Sequence, residues 1–116
     1  MTIWIIERNL LWSTRLKNMA TTLGHQATVH PAPPSEGRPD VALLNLAQDP
    51  DAEAVCRELT ARGVKVIGHA GHKEEDKLEI GRRAGCARVA TNSELVNKMA
   101  RLLDELEAAP KQIGPS

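Results

Sequence analysis

The sequence predicts an α/β fold built on a parallel sheet covered on both faces, and three observations predict it. Short apolar runs recur at Ile3-Trp4-Ile5-Ile6, which is rich in β-branched residues, Asp40-Val41-Ala42-Leu43-Leu44-Asn45-Leu46 and Val64-Lys65-Val66-Ile67. They are near-continuous and do not alternate, as strands buried on both faces are. Stretches with apolar residues at helical spacing stand between them, and the connections are short, which implies right-handed crossovers and helices on both sides of the sheet.

The first strand begins almost at Met1. Asn9 is a good N-cap for the next element, whose apolar residues Leu10, Leu11, Leu16, Met19, Ala20 and Leu23 predict an amphipathic helix stopped at Gly24. Ala27, Thr28 and Val29 make Gln26 to His30 a weak strand candidate. Pro31-Ala32-Pro33-Pro34-Ser35-Glu36-Gly37-Arg38 follows, and its prolines forbid a regular helix interior. The third strand comes next. Asp49-Pro50 then supplies an N-cap with proline at the first helical position, and Ala52, Val55, Cys56 and Leu59 fall at helical spacing before Gly63. Glu74 to Ala84 reads as a charged helix around Leu78 and Ile80 that ends at Gly85, and Ala87 to Thr91 as a short strand. Leu95, Val96, Met99, Leu102, Leu103 and Leu106 mark one long final helix, opened by a Thr91/Glu94 capping box. Five strands in so short a chain indicate a flavodoxin-like three-layer sandwich with strand order 2-1-3-4-5, its helix between strands 2 and 3 missing or reduced.

Composition limits the function. With 116 residues, 41% of them hydrophobic, the chain suits one domain (1–109) with a frayed tail (110–116). A chain of this size buries roughly two-thirds of its extended surface, enough for an aliphatic core without disulfides. Cys56 and Cys86 show no CxxC or Cys/His ligand spacing and read as reduced thiols of a cytoplasmic protein. No run approaches the roughly 18 apolar residues of a membrane span, and no signal peptide opens the chain. Fifteen basic and 15 acidic residues are well mixed, and two tryptophans are the only aromatic side chains besides histidine, so nucleic acid is not expected as a ligand.

The pattern resembles the receiver domain of bacterial two-component response regulators over nearly the whole chain. Its carriers are Arg38-Pro39-Asp40-Val41-Ala42-Leu43-Leu44-Asn45-Leu46, similar to the family's third strand, Ala84-Gly85-Cys86-Ala87, similar to its alanine-glycine turn, and the spacing of Glu7 from Gly24. In receivers two acidic residues after the first strand hold magnesium, and an aspartate ending the third strand takes the phosphoryl group. A hydroxyl residue follows the fourth strand and a lysine the fifth. The resemblance places Glu7 and Arg8, Asn45, Ala70 and Asn92 at these positions, where Glu7 alone is retained. An amide has no anionic oxygen to attack phosphorus, so Asn45 excludes an acyl phosphate there. Arg8 supplies fixed positive charge where a metal ligand is needed, and would itself neutralise Glu7. The resemblance therefore implies a degenerate form, a pseudo-receiver.

Ligands of doubly wound sheets sit beyond the carboxyl ends of the strands. That rim carries Glu7, Arg8, Asn45, Gln48, Asp49, His69, His72 and Asn92. It reads either as a pocket for an anion or small molecule, anchored by Arg8 and by amides around Gly68 and Gly71, or as a relic closed by a Glu7–Arg8–Asn45 network. Gly68-His69-Ala70-Gly71-His72 is too weak a signal for a phosphate loop. His69 and His72 would suit a transition metal, but two loop histidines three apart are more often surface residues, so no metal or cofactor is assigned. Cys56 and Cys86 read as core residues, and no nucleophile–base pair marks an enzyme.

Receivers dock through the face made by their fourth helix, fifth strand and fifth helix. The resemblance assigns that role to Lys77, Arg82, Arg83, Lys98 and Arg101. Trp4 reads as core, whereas Trp12 reads either as a partly exposed anchor or as packed on the first strand. The expected function is a phosphorylation-independent interaction module in bacterial signalling that binds another signalling protein or itself. The alternative is a small-molecule or anion sensor.

Overall fold

The structure is a computed structural model that describes residues 1–48 and 50–108. The tail expected from residue 110 lies outside that range. Five strands, β1 (Thr2–Ile6), β2 (Gln26–His30), β3 (Val41–Asn45), β4 (Lys65–Ala70) and β5 (Arg88–Thr91), form one parallel sheet in the order β2-β1-β3-β4-β5. The helices are α1 (Leu10–Thr22), α2 (Ala52–Ala61), α3 (Glu75–Arg83), α4 (Asn92–Asn97) and α5 (Met99–Ala108). This is the expected flavodoxin-like three-layer sandwich.

Successive strand residues point to opposite faces, so two cores form. On one face Ile3, Ile5, Val41, Leu43 and Ile67 meet Leu16 and Ala20 of α1, Leu95 of α4, and Met99, Leu102, Leu103 and Leu106 of α5. On the other, Ile6, Ala42, Leu44, Val66 and Ala70 meet Ala52, Cys56 and Leu59 of α2 and Leu78 of α3. β3, at the centre, is buried on both faces, with Val41 to Leu44 all at 0% exposure.

Three elements differ from their sequence reading. Leu10 and Leu11 do not join the buried face of α1, which runs through Ser13, Leu16 and Ala20; they are 78% and 87% exposed. The helix after β3 starts at Ala52 with Asp51 at its N-cap, so Pro50 does not take the first helical position; Asp49 lies outside the described residues. The long final helix is two. Thr91 caps α4 with the expected capping box, but Lys98 leaves helical geometry (φ −129°, ψ 22°), although Lys98 N–H still bonds Glu94 O and Leu102 N–H bonds Lys98 O. Leu95 and Met99, on either side of this bend, are both buried.

No helix joins β2 to β3. The irregular segment 31–40 stands in for it. Trp4 is half-buried on the α2/α3 face with its ring edge-on to His30, centroids 5.4 Å apart. Gly37 lies against that ring: a Cβ there would sit 3.0 Å from it, and Gly37 has φ +102°. Arg62, just past α2, holds the segment by donating to Pro34 O (2.9 Å) and Gly37 O (3.4 Å). Fixed dipoles from two carbonyls thus tie down a segment that has no helical hydrogen bonds of its own.

Gly37→Ala should therefore cost more than Gly24→Ala. Both glycines have positive φ, but a Cβ at Gly24 meets nothing within 4 Å. Urea denaturation should show a loss of about 1 kcal/mol for Gly24→Ala from backbone strain alone, and about 1–2 kcal/mol beyond that for Gly37→Ala from the Trp4 clash.

Candidate functional site

The polar residues converge at the carboxyl edge of the sheet because parallel strands end their chains on one side. Glu7 follows β1 and is only 2% exposed. One of its carboxyl oxygens accepts from Asn45 Nδ2 (2.8 Å) and the other from Asn9 N–H (3.2 Å). Asn45 Oδ1 in turn accepts Ala47 N–H at 3.0 Å. Both ends of the amide are thereby engaged.

Arg8 does not close this network. It is exposed, its backbone N–H donates to Gln48 Oε1 (2.7 Å), and its guanidinium reaches back to Pro31 O (3.4 Å). Alternation along the chain explains this: Glu7 continues the inward phase of Ile3 and Ile5, which turns Arg8 outward. Arg8 thus makes its hydrogen bonds to Gln48 and Pro31 instead of to Glu7, and is not among the residues that line the cleft. The cation that does line the cleft is Arg15, 5.7 Å from the Trp12 ring centroid. The cleft has a volume of about 540 Å³, with Glu7 and Asn45 at its base and Asn9, Leu11, Trp12, Gln48 and Asn92 around it.

His69 is not on the rim. It is fully buried at 0% exposure, on β4 beside Asn45. Its Nδ1–H donates to Asn92 Oδ1 (2.9 Å), leaving Nε2 buried without a hydrogen-bond partner among the described residues. Burial pushes the His69 pKa down, so the imidazole is neutral, with its proton on Nδ1 and a bare Nε2. The Trp12 indole N–H is likewise buried and unpartnered. Trp12 itself is half-buried against the α1/α5 core, between its two sequence readings. His72 lies exposed in the turn after β4, away from His69's buried position. Nor do the expected amide donors stand free: Gly71 N–H donates to Glu74 Oε1 (2.9 Å), and Gly68 pairs within the sheet. Ala70, buried at the end of β4, offers no hydroxyl.

The donor set does not fit the magnesium ion of a receiver. That ion takes near-octahedral oxygen ligands at about 2.0–2.1 Å and is bound by carboxylates. Among the described residues one carboxyl, that of Glu7, lies here; both its oxygens are held by N–H donors, and the neighbouring amide turns its NH₂ group toward it. Among the described residues no group of three or more His, Cys, Asp or Glu could hold a metal ion. No described helix is long and apolar enough to cross a membrane.

The proposed interface cations flank β5. Arg82 pairs with Glu75 and Glu79 on α3, Arg83 with Glu53 on α2, and Arg101 with Glu105 on α5; Lys77 is half-buried and Lys98 exposed. One arrangement has no sequence signal: Cys56 Sγ and Cys86 Sγ lie 2.9 Å apart.

No protein-family model and no curated protein matches the chain. Solved structures do. The receiver domain of a sensor histidine kinase from Pseudomonas aeruginosa PAO1, determined with magnesium in its active-site cleft, superposes with a TM-score of 0.80 at 20% identity, over 93% of this chain and 98% of that one. A response regulator from Thermotoga maritima gives 0.79 at 9% identity over the same shares. A response regulator receiver protein from Burkholderia phymatum gives 0.77 at 15% identity, over 97% and 98%. At such identities the likeness is one of fold, and the chain has the receiver fold.

Two outcomes are expected from this geometry. Asn45→Asp sets a second carboxyl against Glu7 and removes the donor between them, so urea denaturation at pH 7 should show a loss of about 1–3 kcal/mol. The depressed pKa of His69 means that below about pH 6.5 the unfolded chain binds a proton that the folded one refuses. Stability should be complete above that pH and fall as pH drops from 7 to 5.5. His69→Gln should flatten this slope, read as the urea midpoint against pH.

Proposed function

We propose that this receiver-fold chain is a pseudo-receiver: a cytoplasmic, non-catalytic interaction module of signal transduction that works without phosphorylation at the end of β3. The Asn45–Glu7 hydrogen bond carries this reading. Phosphoryl transfer to a receiver needs a carboxylate oxygen as nucleophile, whereas the amide of Asn45 is committed to Glu7 and to Ala47 N–H. Arg8, Ala70 and Asn92 support the same conclusion, since none is the chemical type that receivers use at its position. We assign no cofactor.

Without that switch, signalling rests on binding. Leu10 and Leu11 form an exposed apolar lip beside half-buried Trp12 and Arg15. Exposed leucines next to an aromatic ring with a polar tip are the anchor type that protein partners use. The occupant we assign is another signalling protein, with a second copy of this chain as the competing occupant. Arg82, Arg83 and Arg101 beside β5 are engaged in exposed ion pairs worth at most about 1 kcal/mol each, so they would orient a partner more than hold it. The sensor reading is favoured by one observation: Arg15 faces the cleft whose base is Glu7 and Asn45.

Incubation with acetyl phosphate and magnesium should leave the intact mass and the melting temperature unchanged; a phosphoryl adduct would overturn the reading. A rise in melting temperature with inorganic phosphate alone, without an adduct, would favour the anion sensor. Leu10→Asp with Leu11→Asp should change stability by no more than about 0.5 kcal/mol, as exposed positions do, while abolishing concentration-dependent mass or partner capture.

A further inference from the structure

We infer that Cys56 and Cys86 form a reversible dithiol site that a hydroperoxide closes into an intramolecular disulfide, joining α2 to the turn after α3. The inference is independent of the interaction reading. The two residues are 30 positions apart in sequence, yet their sulfurs lie 2.9 Å apart in the folded chain. A disulfide needs about 2.05 Å, so closure asks for a movement of about 1 Å.

The surroundings are built around that contact. Cys56 is fully buried on α2, whereas Cys86 is partly exposed and gives the oxidant access. Two glycines clear the space for the Cys86 sulfur: a Cβ on Gly68 of β4 would lie 3.1 Å from it, and one on Gly81 of α3 3.5 Å. Gly85, immediately before Cys86, sits at φ +86° in a turn that can absorb the small displacement. The thiols share a proton. The neighbouring Cys86 thiol, the Thr60 hydroxyl and the Arg57 guanidinium draw the Cys56 pKa down, while the same contact pushes Cys86 up, so the pair loses its first proton readily and holds its second. Among the described residues no third His, Cys, Asp or Glu joins the two sulfurs in a group that could hold a metal ion.

The chemistry balances with one hydroperoxide. The pair gives up its first proton to solvent from Cys56, the Cys86 proton then shifts across the 2.9 Å contact to the Cys56 sulfur, and the partly exposed Cys86 thiolate attacks the distal peroxide oxygen. The O–O bond breaks, and the leaving oxygen takes up a proton as water or alcohol. The Cys56 sulfur then attacks the Cys86 sulfenic acid, the S–O bond breaks, and hydroxide leaves with the second thiol proton as water. Two electrons pass from two thiols to one peroxide.

The test treats the reduced full-length protein with stoichiometric hydrogen peroxide. Expected is a monomer about 2 Da lighter, with Cys56 and Cys86 linked in a non-reducing peptide map. Its melting temperature should rise on the order of 10 °C, reversibly with dithiothreitol. Cys86→Ala should melt like the reduced protein and show no shift with peroxide, while Cys56→Ser should carry Cys86 on to sulfinic acid. The inference is overturned if the native protein accumulates sulfinic or sulfonic Cys86 while Cys56 stays alkylatable after denaturation. It is equally overturned if the bridge forms only in urea, or if Cys86 links two chains instead.

Discussion

β3 is buried on both faces, and that burial governs both the fold and the site. A central parallel strand has no solvent-facing side, so the residue that ends it must find its hydrogen bonds inside the protein. Asn45 does so with Glu7 and the backbone of Ala47. Glu7, more deeply buried than Asn45, takes its second donor from the Asn9 backbone at the entry to α1. The end of the central strand, the end of β1 and the first turn of α1 are therefore one hydrogen-bonded unit. The same constraint acts on β4, where His69 must be neutral and tied to Asn92. At this edge the Asn45 amide is paired with the Glu7 carboxyl, and the neutral His69 imidazole with the Asn92 amide.

The missing helix shows how a layer can be thinned without opening the core. Where a helix would satisfy its own backbone, the proline-rich segment has few internal hydrogen bonds. It is held from outside by Arg62 and by the fit of Gly37 against Trp4. Trp4 packs there against the α2/α3 core, His30 and Gly37. On the opposite face the bend at Lys98 lets α4 keep its capping box while α5 keeps its row of buried leucines. Both departures conserve buried apolar area, the dominant favourable term, and surrender regular hydrogen bonding only where solvent or a side chain replaces it.

The cysteine pair depends on this packing as well. Gly68 and Gly81 are small because Leu46, Val89 and Cys86 crowd the seam between β4 and α3. The thiols meet there because α2 and α3 lie side by side on one face of the sheet. Tight packing fixes the sulfurs, and the one partly open side, at Cys86, decides which of them meets solvent.

Local patterns wrote much of this into the chain: the near-continuous apolar strands, the Asn9 cap, the Thr91/Glu94 box, the prolines that deny a helix after β2, and Asn45 at the end of the third strand. These are features of neighbouring residues, so a linear reading recovers them. Periodicity could not show that Leu10 and Leu11 stay in solvent, since a helix pattern does not say which of its apolar residues a partner layer covers. Nor could it tell that Arg8 turns away from Glu7, that His69 is buried and not on a rim, or that Cys56 and Cys86 touch. The sequence by itself determined the order and kind of the elements, because backbone propensity and hydrophobic spacing act over a few residues. Only the tertiary structure decided which polar groups and which thiols face one another, because those contacts arise from strand register and layer packing between residues far apart in the chain.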